Sequence, residues 1–213
     1  NAWLMKIVCD ENIAYSREFF APLGELICLP GRSLSAADVR DADALIVRSV
    51  TNVTRELLAG STVKFVGSAT IGFDHIDTDF CERNGIEWYN TPGCNATSVA
   101  QYIASVFAFL EQKEECDLRG KKLGIVGVGN VGREVEKIAH FFEMEVLRND
   151  PLREVLEKNE QFVSLRTIAS EADIVTFHTP LTDKGNFPSR YLANADFFAQ
   201  LKKQPYIINS ARG

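Results

Sequence analysis

The 213 residues are 46% hydrophobic and 24% charged, with 14 Gly and 7 Pro: an ordinary globular composition, long enough for one large domain or two small ones. A net charge of −6 and a pI near 5.2 argue against nucleic acid or a membrane surface as a partner. The five cysteines, no two closer than 13 residues, form no CxxC pair, so no metal site or disulfide framework is expected, and reduced thiols in a cytoplasmic protein are.

Short runs rich in apolar and β-branched residues predict strands over 4–10, 25–29, 43–49, 63–69 and 85–90. Helical patterns fill the intervals near 14–22, 35–40, 52–59 and 75–84, with Ser35 and Asp74 as N-caps. Strands separated by helices at this spacing imply βαβ units and a parallel sheet. From 96 to 112 runs the longest helical pattern, with Val99, Ile103, Val106, Phe107 and Leu110 near the 3.6-residue period, followed by polar EECDLRGKK. The divisions expected are a first lobe at 5–97, a helix and linker at 98–120, and a second lobe at 121–213. In the second lobe, strands at 122–128, 145–150, 161–165, 173–179 and 206–209 alternate with helices at 130–142, 151–158, 166–171 and 191–203. The last strand, YIIN, reads as a buried parallel strand that delivers Arg212 at its carboxyl end. The longest apolar stretch, Tyr102 to Leu110, is far too short to cross a membrane, and no signal peptide is expected.

The sharpest local signal is Gly127-Val128-Gly129-Asn130-Val131-Gly132, a G-x-G-x-x-G directly after a strand and opening a helix. The first glycine permits a tight turn, the second lets backbone approach a pyrophosphate, and the third allows close helix–strand packing. The pyrophosphate then meets the helix N-terminus, where free N–H groups and the dipole favour negative charge. Asp150 ends the next strand, 23 residues after Gly127. A carboxylate there accepts ribose hydroxyls and repels a 2′-phosphate, which favours NAD over NADP; Arg148, two residues earlier, pulls the other way.

Phe177 to Thr182, FHTPLT, ends another strand at the edge that lines a dinucleotide crevice. Thr179 offers a hydroxyl and backbone groups to the cofactor, whereas His178 reads as structural rather than as a proton donor. His75 and His140 have no partner that the sequence identifies. In the first lobe, VRSVT (47–51) and GSATIG (67–72) end strands with small or hydroxyl residues and free backbone, the makings of an anion nest. Arg48 and Ser49 suit a phosphate, and Thr70, Ile71 and Gly72 a carboxylate, although ordinary surface turns have the same composition.

GVGNVG with Asp150, then HTPLT, then INSARG, in this order and spacing, resemble the D-isomer-specific 2-hydroxyacid dehydrogenases. VRSVT, ATIGFDHID and TPGCNATSVAQY resemble a branch of that family acting on 4-phospho-D-erythronate. The resemblance implies an α/β protein of two flavodoxin- or Rossmann-like lobes with parallel sheets, the second an NAD-binding Rossmann lobe incomplete at Gly213. It implies NAD-linked oxidation of a small phosphorylated hydroxy acid at C2, in a protein that is a homodimer at full length. Arg212 takes the family role of orienting the substrate 2-oxygen and carboxylate, with Ser210, Ala211 and Arg212 lying along the cofactor. The family's catalytic glutamate and proton-exchanging histidine are expected beyond Gly213, so that 213 residues alone are expected to be inactive. The alternatives are the same scaffold acting on 3-phosphoglycerate or another D-2-hydroxy acid, and a binding module that senses NADH.

Overall fold

The computed structural model describes residues 5–113, 116–158, 161–183 and 185–211. Arg212 therefore lies outside the described residues. The chain divides into two compact units, Asn1–Cys94 and Asn95–Gly213.

In the first unit, β1 (Met5–Asp10), β2 (Gly24–Leu29), β3 (Ala44–Val47), β4 (Phe65–Ser68) and β5 (Glu87–Tyr89) form a sheet in the order β2-β1-β3-β4-β5. Every pairing in it is parallel. The crossovers carry α1 (Ser16–Phe20), α2 (Ala36–Val39), α3 (Arg55–Leu58) and α4 (Thr78–Arg83). All four residues of β3 are buried, as a strand covered on both faces requires. Leu45 and Val47 pack with Val8, Val66, Leu57 and Leu58 on one face, while Ala44 and Ile46 join Ile7 and Cys9 on the other. A one-residue slip would exchange those faces, so burial fixes the register. The strand order reverses between β1 and β3, where such sheets open a crevice at their carboxyl ends.

In the second unit, α5 (Ala96–Lys113) precedes β6 (Lys122–Val126), α6 (Asn130–Phe141), β7 (Glu145–Asn149), α7 (Pro151–Glu157), α8 (Leu165–Glu171), β8 (Ile174–Phe177), α9 (Ala195–Ala199) and β9 (Tyr206–Asn209). The sheet is again parallel, in the order β7-β6-β8-β9, and reverses between β6 and β8. Ala96, Ala100, Ile103, Phe107 and Leu110 are the buried stripe of α5, alternating four- and three-residue steps. The last four of these pack with Val135 and Ala139 of α6 and with Leu123 and Ile125 of β6.

Four expectations change. Residues 161–165 are not a strand: Phe162 makes a single bridge to Arg148. Ser164 then caps α8 by accepting the Thr167 N–H at 3.0 Å, which turns the chain away. The cap of α4 is Asp77, not Asp74, because a bridge from Val53 to Ile76 holds the chain extended up to that point. The helix expected over 191–203 is confined to α9, since Tyr191 has φ 59° and Asn194 supplies the cap. Finally, β9 is an edge strand among the described residues, with Tyr206 and Ile207 39% and 38% exposed rather than buried.

Candidate functional site

The turn from β6 into α6 has three glycines with three different surroundings. Gly127 has φ +90°, and a Cβ there would lie 2.9 Å from the backbone of His178 and Thr179. That combination excludes a side chain on both conformational and steric grounds. A Cβ on Gly132 would lie 2.2 Å from the Gly127 carbonyl oxygen, so the first turn of α6 rests directly on the loop. At Gly129, by contrast, no described atom lies within 4 Å of an added Cβ. The turn is thus closed on its protein side and open at its middle glycine. Asn130, Val131 and Gly132 form the first turn of the 12-residue α6, whose N–H groups have no intrahelical partner. Open space beside those donors fits the pyrophosphate of a dinucleotide.

Asp150, at the end of β7, is tied into this loop. One carboxylate oxygen accepts the Val128 N–H at 2.9 Å, and the other caps α7 by accepting the Arg153 N–H at 3.1 Å. Arg153 in turn donates to the Val128 carbonyl. Each oxygen keeps a lone pair for a ribose hydroxyl. Arg148 is engaged elsewhere: its guanidinium holds Glu136 of α6 and donates to Gln161 at 2.8 Å. Burial opposes ionisation of Glu136, but the bonds and charge of Arg148 outweigh it, and the carboxyl is held below its ordinary range. Arg148 therefore no longer weighs against a 2′-hydroxyl beside Asp150.

Thr179 leaves β8 beside Gly127, and its methyl and N–H close the other wall of the turn. The adjacent His178 is a bracket. Its Nε2 lies 3.0 Å from Thr176 Oγ1 and its Nδ1 2.8 Å from Ser210 Oγ. Ser210 Oγ also reaches the Phe177 carbonyl at 3.5 Å. One proton assignment satisfies all three contacts: Thr176 donates to Nε2, Nδ1–H donates to Ser210, and Ser210 donates to Phe177. Burial pushes the imidazole down to about 4, so His178 is neutral near pH 7. Its structural role, expected from the sequence, takes this form: it joins the ends of β8 and β9. Ala211 follows, its N–H held by Asn209 Oδ1 at 2.9 Å, and Arg212 is the next residue.

At the carboxyl edge of the first sheet, β3 runs into a turn at Arg48 and Ser49 closed by Thr51 N–H donating to the Arg48 carbonyl at 3.1 Å. Arg48 and Ser49 are half-buried, and an Arg48 Nη lies 3.5 Å from the Asn12 carbonyl. The turn of Asn12 hangs on Asp10, a buried carboxylate that accepts its N–H at 2.8 Å. Beyond β4, Thr70 Oγ1 lies 2.8 Å from Ser68 Oγ and donates to the Gly72 carbonyl at 3.3 Å. Ser68 Oγ is in turn 3.1 Å from Nε2 of buried His75. His75 thus has a partner that sequence reading did not find, as does His140, whose Nε2 lies 3.5 Å from Glu136. Asn90, the residue after β5, donates to the Ile71 carbonyl at 2.6 Å and pins the 70–72 segment. Each unit gathers its own candidates: Arg48, Ser49, Thr70 and Gly72 in the first, and the glycine turn, Asp150, Thr179, Ser210 and Ala211 in the second. Among the described residues there is no acidic, cysteine or histidine cluster suited to a metal ion, and no helix long and apolar enough to cross a membrane.

A glycine turn at the reversal of a parallel sheet, opening a helix and facing an acidic strand end, defines a dinucleotide-binding domain. The signature of the D-isomer specific 2-hydroxyacid dehydrogenase NAD binding domain matches residues 100–213, and the chain belongs to that family, with NAD as its cofactor. Over 98% of its length it is 49% identical to the erythronate-4-phosphate dehydrogenase of Bacteroides thetaiotaomicron and 44% identical to that of Proteus mirabilis. It spans 60% and 56% of those two proteins, less than two thirds of the curated relatives it matches. The crystal structure of NAD+-bound 3-phosphoglycerate dehydrogenase from Entamoeba histolytica superposes with a TM-score of 0.82 at 28% identity, over 98% of this chain and 72% of that one.

Proposed function

We propose that the whole protein oxidises 4-phospho-D-erythronate at C2 to the 2-oxo acid, as a cytoplasmic homodimeric enzyme of pyridoxal 5′-phosphate biosynthesis. The observation that carries this reading is the 44–49% identity, across 98% of the chain, to proteins named erythronate-4-phosphate dehydrogenase. NAD, when bound, supplies the acceptor for the C2 hydride. The open middle of the glycine turn and the first N–H groups of α6 receive its pyrophosphate, and Asp150 receives its adenosine ribose. Thr179, Ser210 and Ala211 line its path at the ends of β8 and β9. Arg48 and Ser49 grip the substrate phosphate, and Thr70 with the backbone of Ile71 and Gly72 grips the carboxylate. Arg212 orients the substrate 2-oxygen and carboxylate, a role suited to its permanent charge and planar fork. His178, with both ring nitrogens engaged, is not free to take the substrate proton.

The likeness to 3-phosphoglycerate dehydrogenase favours one second reading, the same chemistry on a phosphorylated three-carbon acid. Assaying the whole protein with NAD on both acids side by side separates the two. We expect kcat/KM for 4-phospho-D-erythronate to exceed that for 3-phospho-D-glycerate by about 10²-fold. The reverse preference overturns the assignment, and tight NADH binding without turnover of either acid points to a sensing module.

A further inference from the structure

The hydrogen bonds behind Thr70 can all be satisfied in one direction. Thr70 has one hydroxyl proton, and the Gly72 carbonyl, 3.3 Å from Oγ1 and able only to accept, is a place for it. With that proton on the Gly72 carbonyl, Thr70 Oγ1 accepts from Ser68, 2.8 Å away. The Ser68 proton being spent, Ser68 Oγ accepts from the remaining neighbour, Nε2 of His75, at 3.1 Å. One proton per contact satisfies all three, and the direction is His75 to Ser68 to Thr70.

His75 and Ser68 are well held for this. They are 7% and 2% exposed, so water does not compete for their hydrogen bonds. The Val53 N–H donates to the His75 carbonyl at 2.7 Å, and the Val53–Ile76 bridge pins the next residue. Ser68 is the last residue of β4, in register with Val47 at the end of β3. Thr70, two residues further, is half-buried at the sheet edge. The chain therefore starts in the core and ends at a hydroxyl within reach of a ligand.

We infer that His75 and Ser68 are positioning residues that fix the Thr70 hydroxyl as a hydrogen-bond donor and so match it to an anionic oxygen of the substrate. This rests on the reading above that Thr70 meets the substrate. A carboxylate or phosphate oxygen only accepts, so a hydroxyl free to turn either way would lose part of its affinity to the wrong orientation. With its acceptor side filled by Ser68, the Thr70 proton has only the distant Gly72 carbonyl to leave when an anion arrives. Hydrogen bonds aligned in one direction also polarise one another, which strengthens the terminal donor.

The test uses the whole protein and steady-state kinetics with NAD and 4-phospho-D-erythronate. Ser68→Ala and His75→Leu should each raise KM for the acid about 5-fold, with kcat and KM for NAD little changed. The double variant should be no worse than either single one, because both break the same chain. His75→Gln, which keeps an N–H near the place of Nε2, should recover most of the loss. Thr70→Val is the control for the underlying reading. If it raises KM while Ser68→Ala and His75→Leu do not, the relay is wrong and the substrate site stands. If Thr70→Val leaves KM unmoved, the substrate site itself is misassigned and the inference goes with it. Should His75→Leu not fold, Ser68→Ala decides alone, since it removes one buried oxygen and no packing volume of consequence.

Discussion

The carboxyl edges of the two sheets occupy the same topological place and are built from opposite materials. Between β6 and β8 the surface is backbone: a glycine turn defined by what is missing, walled by Thr179 and braced by Asp150. Beyond β3 and β4 it is side chain: Arg48, Ser49 and Thr70 stand on turns, with Ser68 2.8 Å behind Thr70 and His75 3.1 Å behind Ser68. A backbone surface suits a ligand part common to many enzymes, whereas a side-chain surface can be retuned for one acid. The backbone surface should fail abruptly when any side chain is added, and the side-chain surface gradually, one hydrogen bond at a time.

The largest effect expected is at Gly132. In Gly132→Ala the new Cβ meets the Gly127 carbonyl oxygen at 2.2 Å, and relief requires lifting α6 off the loop. Urea unfolding should show a loss of about 3 kcal/mol, against less than about 1 kcal/mol for Ser49→Ala in the first unit. Equal losses would erase the contrast.

Next comes pH. The His178 pKa falls from 6.5 to about 4 in the fold, so between these values the unfolded chain binds a proton that the folded one does not. The stability this neutral histidine permits is complete above about pH 6.5 and is lost as pH falls toward 4, by on the order of 2–3 kcal/mol. His178→Gln should flatten that part of the stability–pH profile. A profile identical to wild type would mean that the imidazole is not buried in solution.

Asp150→Ala should weaken NAD binding by about 1–3 kcal/mol, since its bonds to hydroxyls are charge-assisted. It should also lower the melting temperature, because the same carboxylate caps α7 and holds Val128. Asp150→Asn keeps one acceptor oxygen and separates the two roles. Unchanged NAD affinity in both variants would remove Asp150 from the site. The smallest effect is at Ser49. In Ser49→Ala, KM for the phosphorylated acid should rise about 2- to 10-fold, with KM for NAD unmoved. If neither moves, the turn after β3 is an ordinary surface turn.

The same contrast explains what could be read from the sequence. The glycine turn was legible because its physics is local: strand, glycines and helix lie within a few residues, and Asp150 is one strand away. The parallel architecture was legible because short apolar runs alternate with helical ones at the spacing of βαβ units, and β3, buried at all four positions, agrees with it. The misreadings needed partners that the sequence does not put side by side. Arg148 looked ambiguous until Glu136, twelve residues back on α6, was seen to hold it. QFVSL looked like a strand, but its one bridge to Arg148 ends where Ser164 caps α8. His75 seemed to have no partner because Ser68 lies on the far side of the turn at 70–74, and only folding brings them within 3.1 Å.

The most direct test of the backbone-built cofactor site is a calorimetric titration of NADH into the whole protein and its Gly129→Val variant. Because no described atom lies within 4 Å of a Cβ at Gly129, the variant should fold with a melting temperature within about 2 °C of wild type. Wild type should bind saturably, and this folded variant should give no measurable heat of binding. A variant that binds NADH with the wild-type Kd would contradict this, and would move the pyrophosphate away from the turn between β6 and α6.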